Sequence, residues 1–575
     1  MRAFRQSPGT LIIHALLVAV LCSLPHWTGI WQNRGDYSPF SVSPAVSAIT
    51  FDETHAYAPP ARRLLLTGNI RAEVDNYENR NLSAGIPFIP TAILGGMGWT
   101  LGSLEKAFIA ADVVFPALLF LLLYRVAAGM VRDSSLRLLV AWSTIVVPFG
   151  LLNSLWLGDD ARLAPLEITR TPQPEISFFA LIFAAALLGK AIEEESSWVW
   201  TFAAGTLSGV VVYCYYFYAV AWGATLALML ILGLTWKLIA VWMRAALALC
   251  LMLLLSFPYV MVGVRGKEQR GETYLLERMG AFTHRPDFIP LFSGLALTCA
   301  LLVYGRSFYK RQPLYFVLTL LIAGSLFGMN LQIISGYETQ RWHFWKRLAL
   351  PVFFFVIVSA IVHQAEKSFL GRMATLRQCA QVLLAILILE TAARLTYAGL
   401  LTAPYQRASS PDVALLSWVR SHLPDDQVIG TVDPKLILLI PAFTADYTYV
   451  PSGLRSLTST ESIVSRYFEI ACLSGLSPAE VAREAAVPNH LSHSSQLLQV
   501  LGLSYTGDRA VYQWFVNQYK PKSVCGSQKW RLDYLVLPAG TPAEAPAKER
   551  FPAAPIVYRN SAWELLEVRQ AGARS

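Results

Sequence analysis

Long runs of apolar residues, separated by short polar segments, fill the chain from its start to residue 402. A helix needs about 20 mostly apolar residues to cross the hydrocarbon core of a bilayer. About eleven segments approach this length and are predicted to be membrane-spanning helices. Their approximate bounds are 9–25, 105–128, 136–153, 175–190, 198–214, 217–236, 240–259, 287–304, 313–331, 348–364 and 378–402.

A further apolar segment, 86–101, is predicted to lie at the membrane interface or to form a re-entrant helix. It is short, and it contains Pro87, Pro90 and several glycines, which weaken a helix interior. If it crossed the membrane, every later loop would change sides and the basic loops would fall on the outer side. The charge pattern therefore supports the count of eleven spans.

The pattern changes after residue 402, and residues 403–575 resemble an ordinary globular domain. Ser410 and Ser477 stand where helix N-caps are expected. We therefore expect a polytopic α-helical membrane domain, 1–402, followed by a soluble α/β domain, 403–575. Strands are predicted over 426–432, 533–538, 555–559 and 563–568, with the last two joined by a turn at Asn560-Ser561.

The composition agrees with a membrane protein. Apolar residues make up 54% of the chain and charged residues 15%, and the mean hydropathy is +0.44. Soluble domains carry about 25% charged residues. The net charge is +9, but many Lys and Arg residues fall in loops between predicted spans, so the charge does not indicate nucleic-acid binding.

The distribution of Lys and Arg predicts the orientation. With a cytoplasmic N-terminus, all inner loops are short and basic, whereas the longer loops, most of which mix acids with bases, lie outside. An odd number of spans then places the C-terminal domain on the extracytoplasmic face. We expect the inner (plasma) membrane of a bacterium. The predicted outer loops include 26–104, 154–174, 260–286 and 332–347.

Two of the seven cysteines, Cys472 and Cys525, lie in the C-terminal domain. A disulfide between them and two free thiols are both compatible with the sequence. The other five lie in apolar helices, where cysteine usually packs as a small hydrophobic residue. The sequence contains no CxxC motif and no Cys/His cluster that would predict a structural zinc site.

The strongest local motif lies in the first outer loop. Asp52 and Glu53 precede Tyr57 and a short amphipathic segment that contains Arg62 and Arg63. Acids at the start of a helix interact favourably with its dipole, which is the purely structural explanation. A functional carboxylate pair is the alternative, and these residues alone favour neither.

This loop resembles that of the GT-C glycosyltransferases with polyprenyl-phosphate donors, such as protein O-mannosyltransferases and lipid A aminoarabinose transferases. In that superfamily an acidic pair follows the first span, a Pro-rich apolar segment, here 85–90, precedes the second, and many members carry a soluble outer domain. Two features depart from the family. Pro59 and Pro60 interrupt the helix that usually follows the acids, and the usual Lys-Pro-Pro is missing, with Arg80 as the nearest base.

The resemblance implies a transferase that moves a sugar from a polyprenyl-phosphate donor to a glycan, lipid or protein acceptor on the outer face, with inversion. An acceptor hydroxyl attacks the anomeric carbon while the phosphate leaves, so a carboxylate must take up a proton and cations must stabilise the phosphate. By resemblance, Asp52 is the base. Glu53 would orient it, position the acceptor or help to bind a divalent cation.

A second acidic pair, Asp159 and Asp160, lies in the second outer loop. A second acid from a nearby outer loop often joins the first pair in the GT-C family. Paired acids also suit a hard cation such as Mg²⁺ or Mn²⁺, the only cofactor that the sequence suggests. A solvated surface loop explains the pair equally well.

Basic residues on the outer side run against the charge rule, and four are candidate ligands for the donor phosphate. One of the four, His343, is equally compatible with an ordinary histidine at the membrane interface. The aromatic run 213–218 fits an interfacial belt, or alternatively a platform for sugar or lipid. The four candidates are Arg63, Arg270, Arg341 and His343.

Asp112 lies within the second predicted span, where an acid is usually functional or paired. It fits a proton relay in a transporter or, preferably, a hydrogen bond to a neighbouring helix.

Two alternatives to the transferase remain open. One is a transporter or flippase of lipid-linked sugars, and the other is a non-catalytic membrane subunit in which Asp52 and Glu53 are dispensable.

Overall fold

The computed structural model is a bundle of apolar helices followed by a smaller domain of helices and strands. Helices suit this part of the chain, because a backbone in hydrocarbon must satisfy its hydrogen bonds internally. The structure describes residues 8–40, 57–69, 73–82, 88–147, 167–169, 173–194, 196–268, 281–338, 340–369, 372–453, 455–486, 495–503, 509–520, 529–541 and 545–568.

Fifteen described helices precede the C-terminal domain, together with a short strand pair, Ala281–Phe282 (β1) with Tyr337–Glu338 (β2). A turn, Trp342–Phe344, continues through a π-helix, Trp345–Ala349, into α14. The helices are α1 Pro8–Cys22, α2 Leu24–Asn33, α3 Ala58–Thr67, α4 Ile89–Leu101, α5 Leu104–Ala127, α6 Ser134–Val146, α7 Glu175–Glu193, α8 Val199–Cys214, α9 Tyr216–Thr235, α10 Ile239–Glu268, α11 Phe288–Arg311, α12 Pro313–Gly328, α13 Gln332–Ser335, α14 Leu350–Ser368 and α15 Met373–Thr402.

Eight helices of the described chain are long and apolar enough to cross a membrane, or nine if α1 and α2 form one span bent by 54°. The predicted count of eleven is therefore not exact. Segments 136–153 and 198–214 correspond to α6 and α8, which have only 13 and 16 residues. The described part of α6 stops near residue 147, and α8 stops because Tyr215 adopts an extended backbone before α9 begins.

The helix α4 lies within the apolar segment 86–101, which is predicted not to cross the membrane. It has 13 residues and is not among the candidate spans. Its Trp99 side chain is 79% exposed. An exposed indole on a short apolar helix suits the membrane interface, where tryptophan is enriched.

The close contact between α2 and α15 depends on Gly399. A Cβ atom at this position would lie 2.9 Å from the Cα atom of Pro25 and would overlap the Thr28 hydroxyl. Small residues let helix backbones approach closely in membrane proteins. Gly399 therefore holds the start of the first outer loop against the last helix before the C-terminal domain.

The C-terminal domain surrounds a five-stranded sheet with the strand order β4-β3-β5-β7-β6. Strand β3 is parallel to β4 and β5, whereas β7 is antiparallel to β5 and β6. Its elements are α16 Pro411–His422, β3 Val428–Gly430, α17 Pro434–Phe443, β4 Tyr447–Thr448, α18 Thr460–Leu473, α19 Pro478–Ala486, α20 Gln496–Val500, α21 Arg509–Gln518, β5 Tyr534–Pro538, α22 Pro546–Arg550, β6 Ile556–Arg559 and β7 Trp563–Glu567.

The four predicted strands are confirmed as β3, β5, β6 and β7, and both predicted N-caps form. The Ser410 hydroxyl accepts a hydrogen bond from the amide of Val413, and Ser477 and Glu480 bond reciprocally to each other's amides. Strand β4 was not predicted, because two residues are too few to show a period-two pattern.

The hydrophobic core of the C-terminal domain extends into the first outer loop. Phe40 packs edge-to-face with Phe108 of α5, at 5.0 Å between ring centroids, and with Phe443 of α17, at 5.8 Å. Ala58 and Ala61 of α3 belong to the same buried cluster. The first outer loop and the domain that begins after residue 402 therefore bury their apolar surfaces together.

Gly399→Ala is expected to lower the free energy of unfolding by about 1–3 kcal/mol, because the added methyl group forces α2 and α15 apart. Alanine otherwise favours a helix over glycine by about 1 kcal/mol. The control is Gly96→Ala in α4, where a Cβ atom meets no other atom within 4 Å. Thermal unfolding in detergent should show a loss only for Gly399→Ala, and equal shifts would contradict the packing argument.

Candidate functional site

Five of the eight predicted site residues lie outside the described residues. They are Asp52, Glu53, Asp159, Asp160 and Arg270. Tyr57 is the first described residue after the first acidic pair, and Glu167 is the first after the second pair.

One glutamine joins the ends of three segments. Tyr57, at the start of α3, donates a hydrogen bond from its hydroxyl to Gln173 Oε1 at 3.1 Å. The side-chain amide of Gln173 donates to the carbonyl of Cys214, at the end of α8. Gln173 is 3% exposed, so both bonds form away from solvent. The start of α3 in the first outer loop, the start of α7 and the end of α8 are thus fixed to one another.

A basic and aromatic cluster follows directly from Cys214. The Tyr215 hydroxyl accepts a hydrogen bond from Arg347 Nη1 at 2.7 Å and lies 2.6 Å from His343 Nδ1. Because the guanidinium can only donate, the Tyr215 oxygen accepts the bond from Arg347, whereas the direction of the bond between Tyr215 and His343 depends on the tautomer of the imidazole. The Tyr218 hydroxyl donates to the Arg347 carbonyl at 2.6 Å.

Local backbone geometry builds this cluster. Tyr215 is extended between α8 and α9, so its ring leaves both helices and stacks on His343, with 6.0 Å between ring centroids. Arg347 lies within the π-helix Trp345–Ala349, a helix type that often occurs at functional sites. Sequence reasoning missed Tyr215 and Arg347 as site residues. The aromatic run 213–218 contains Tyr215, and the basic pair Lys346-Arg347 contains Arg347, so these two sequence features could have indicated the residues.

Arg341 has a different environment from His343. Its guanidinium pairs with Asp287 at 2.9 Å and lies 3.9 Å from Glu338. Its side chain is partly exposed. Two carboxylates neighbour this guanidinium, so its positive charge is largely balanced by acids from the neighbouring outer loops.

The predicted interhelical role of Asp112 is confirmed. Its Oδ2 atom lies 2.6 Å from His26 Nε2 of α2, and the His26 Nδ1 atom lies 2.5 Å from the Tyr37 hydroxyl. The carboxylate fixes the imidazole so that Nε2 carries the proton and Nδ1 accepts from the phenol. This chain links α5 to the beginning of the first outer loop.

Arg63, predicted to be a phosphate ligand, is buried between α3 and the C-terminal domain. It donates to the carbonyl of Ala445 at 2.6 Å, pairs with Asp426 at 2.6 Å and lies over the ring of Tyr447 at 4.6 Å. A buried guanidinium needs such partners because its transfer from water is costly. In this position Arg63 holds α3 on the C-terminal domain.

The preceding arginine adds a second connection from α3. Arg62 donates from Nε to the carbonyl of Ala442 at 3.0 Å and from Nη2 to Glu105 at 2.6 Å. Arg420 of α16 lies 3.4 Å from the same Glu105 carboxylate. The start of α5, the first outer loop and the C-terminal domain therefore meet around one carboxylate.

A third connection involves two fully buried acids of the first outer loop. Asp75 pairs with Arg455 at 2.5 Å, and Glu73 accepts from the amide of Leu457 at 2.9 Å. Burial, together with the smaller effect of the neighbouring Asp75 charge, raises the pKa of Glu73 to about 8. Burial also raises the pKa of Asp75, which Arg455 opposes. Further bonds join Asn76 to Thr458 at 2.5 Å and Glu78 to Arg466 at 2.9 Å.

A divalent cation at the predicted acidic pairs stays a prediction. Within the described ranges, no group of three or more His, Cys, Asp or Glu side chains is arranged to hold a metal ion. The four acids that would supply oxygen ligands lie outside those ranges.

No family model matches the chain, and no curated protein matches it. The fold is similar to that of ArnT from Cupriavidus metallidurans bound to undecaprenyl phosphate, with a TM-score of 0.42, 12% identity, 98% of this chain covered and 99% of that chain.

Two structures of the oligosaccharyltransferase from Archaeoglobus fulgidus are also similar. AglB in complex with an inhibitory peptide and dolichol-phosphate has a TM-score of 0.46, 10% identity and coverage of 92% of this chain and 70% of that chain. The enzyme tethered to an acceptor peptide with the NVT sequon has a TM-score of 0.45, 10% identity and coverage of 92% and 69%. At these values we draw no functional conclusion from the likeness.

The stability of the outer region is expected to fall as the pH rises from about 4.5 towards about 8, because folded Glu73 retains a proton that the unfolded chain releases. Glu73→Gln keeps an acceptor for the Leu457 amide and removes the charge. Thermal unfolding of the detergent-solubilised protein should therefore show a shallower pH slope and a midpoint a few degrees higher near pH 8.

The matched control is Glu480→Gln, an exposed acid whose pKa is lowered by hydrogen bonds to Ser477. It should leave the fall in stability at neutral and alkaline pH unchanged. Because burial also raises the pKa of Asp446 to about 7, some slope will remain in Glu73→Gln. An unchanged slope in Glu73→Gln would refute the assignment.

Proposed function

We propose that this protein is a membrane glycosyltransferase that moves a sugar from a polyprenyl-phosphate donor to an acceptor at the extracytoplasmic face. The observation that carries the proposal is the double hydrogen bond of Gln173. It ties the residue that follows the Asp52–Glu53 segment to the backbone next to Tyr215. The segment that follows the acids in sequence and the backbone that precedes the basic cluster are thereby held together, which supports one site with proton-accepting acids and phosphate-binding bases.

His343 and Arg347 are the proposed ligands of the donor phosphate. The Tyr215 hydroxyl bonds to both side chains and so holds them in a fixed relation. The imidazole of His343 and the guanidinium of Arg347 carry N–H donors suited to phosphate oxygens. Arg341 and Arg270 remain weaker proposals, because acids surround Arg341 and Arg270 lies outside the described residues. Arg63 is engaged with the C-terminal domain.

The reaction follows from these roles. An acceptor hydroxyl attacks the anomeric carbon, the bond from that carbon to the phosphate oxygen breaks, and Asp52 takes the hydroxyl proton. The lipid phosphate leaves with the bonding electron pair, and His343 and Arg347 stabilise its charge. Glu53, Asp159 and Asp160 would orient the base or hold a divalent cation. A single displacement inverts the anomeric centre.

The proposed location of the C-terminal domain is the outer face of a bacterial inner membrane, with a cytoplasmic N-terminus. Cys472 is disulfide-bonded, and disulfides persist mainly in oxidising compartments such as the periplasm. The other cysteine considered for this bond, Cys525, lies outside the described residues. Membrane lipid and a lipid-linked sugar are the proposed partners.

The proposal is tested by sugar transfer in proteoliposomes from a panel of radiolabelled polyprenyl-phosphate sugars. Asp52→Asn should reduce the rate by about 100-fold or more, the usual contribution of a general base. The control is Glu194→Gln, an acid exposed at the end of α7, which should leave transfer unchanged. Failure of the wild-type protein to transfer any donor, combined with movement of lipid-linked sugar between leaflets, would replace the transferase by a flippase.

Tyr215→Phe is expected to lower the turnover of donor by about 5- to 30-fold, because removing one buried hydroxyl leaves His343 and Arg347 without their common partner. Tyr213→Phe is the matched control, since its hydroxyl donates only to the Leu255 carbonyl, at 2.8 Å. The measurement is the transfer rate at saturating donor. Equal rates for Tyr215→Phe and the wild type would exclude the phosphate-binding role of the cluster.

A further inference from the structure

Three arginines surround two tyrosines where the first outer loop meets the C-terminal domain. Tyr77 and Tyr447 pack edge-to-face at 5.5 Å between ring centroids. Arg80 and Arg531 lie over the Tyr77 ring at 3.8 and 4.3 Å, and Arg63 lies over the Tyr447 ring at 4.6 Å. We call these five residues the arginine–tyrosine cluster.

The positive charge of this cluster is not fully balanced. Arg63 pairs with Asp426 at 2.6 Å, and Arg531 pairs with Asp533 at 2.8 Å. Arg80 donates to the Tyr77 carbonyl at 2.9 Å, and among the described residues no carboxylate lies within ion-pair distance of it. One guanidinium charge therefore remains for an external anion.

Two buried polar atoms in the cluster have no hydrogen-bond partner within the described part of the chain. They are the Tyr447 hydroxyl, on a side chain that is completely buried, and Nε of Arg63. A buried donor without a partner costs about 1–3 kcal/mol, so such atoms mark places that a ligand or water would occupy. They lie beside Tyr77 and Arg80, which are only half-buried and connect the cluster to solvent.

The geometry of the arginine–tyrosine cluster suits anion binding in addition to its role in folding. A guanidinium stacked on a tyrosine ring keeps its plane fixed, and its remaining N–H groups form a fork that fits a carboxylate or phosphate. Tyr77 and Arg80 come from the first outer loop, whereas Tyr447 and Arg531 come from the C-terminal domain. The cluster therefore exists only when the two parts are docked.

We propose that the arginine–tyrosine cluster binds the anionic group, a carboxylate or a phosphate, of the molecule that accepts the sugar. The identification of the ligand as the acceptor rests on the proposed transferase function, whereas anion binding itself does not. Arg63 of the cluster belongs to α3, which follows the Asp52–Glu53 segment in sequence, and this connection supports the identification of the ligand as the acceptor.

The test is calorimetric titration of the full-length protein, in nanodiscs of phosphatidylcholine, with inorganic phosphate, D-glucuronate and D-glucose. We expect saturable binding of at least one anion, no binding of glucose, and affinity about tenfold weaker in Arg80→Gln, the loss expected for one charge-assisted contact. Arg80→Lys keeps the charge without the fork and should be intermediate. Arg483→Gln is the control, since its side chain is 71% exposed and pairs within its own helix.

Phosphate and glucuronate distinguish the two kinds of acceptor that could carry the negative charge. Binding of phosphate alone indicates a phosphorylated acceptor, and binding of glucuronate alone indicates an acidic sugar. No binding of either anion, or equal affinity in the wild type and Arg80→Gln, would overturn the proposal. The transfer assay tests the proposed function separately. If the wild-type protein binds the anion but transfers no sugar, the transferase function is refuted and the anion site is not.

Discussion

The burial of charged groups between the first outer loop and the C-terminal domain constrains the rest of the outer structure. Arg62 and Arg63, adjacent in α3, each donate to a backbone carbonyl of the C-terminal domain and pair with a carboxylate. Separating the two parts would expose apolar core and break these bonds together. Because removing one partner of a buried ion pair is costly, α3 has a single well-defined position. The segment that contains Asp52 and Glu53 ends at this fixed helix.

The candidate site is built at the ends of elements rather than within them. Tyr57 and Gln173 lie at the starts of helices, Tyr215 lies between two helices, and Arg347 lies in a π-helix. Backbone groups at such positions are not committed to regular helix hydrogen bonds. They leave side chains free to turn towards one another, and the helices behind them keep these side chains in place. Functional groups often occupy such positions on a rigid scaffold.

Much of the fold was predictable because its signals are local. Apolar length indicated the helices, and Ser410 and Ser477 marked two helix starts. Alternation indicated four strands. The span count was less accurate, because the bend at Ser23 and the extended residue Tyr215 are small local departures that hydropathy does not record. Strand β4 escaped prediction because it has only two residues.

The sequence by itself determined the class of protein, the positions of most of its apolar helices, four of the five strands in the C-terminal sheet and the loop in which carboxylates precede a basic segment. These properties depend on composition and on short-range periodicity. Only the tertiary structure decided that Arg63 faces the C-terminal domain, that Gln173 links Tyr57 to Cys214, and that Tyr215 joins His343 to Arg347. Most of these contacts join residues more than a hundred positions apart, so they depend on how helices pack, which no local pattern encodes.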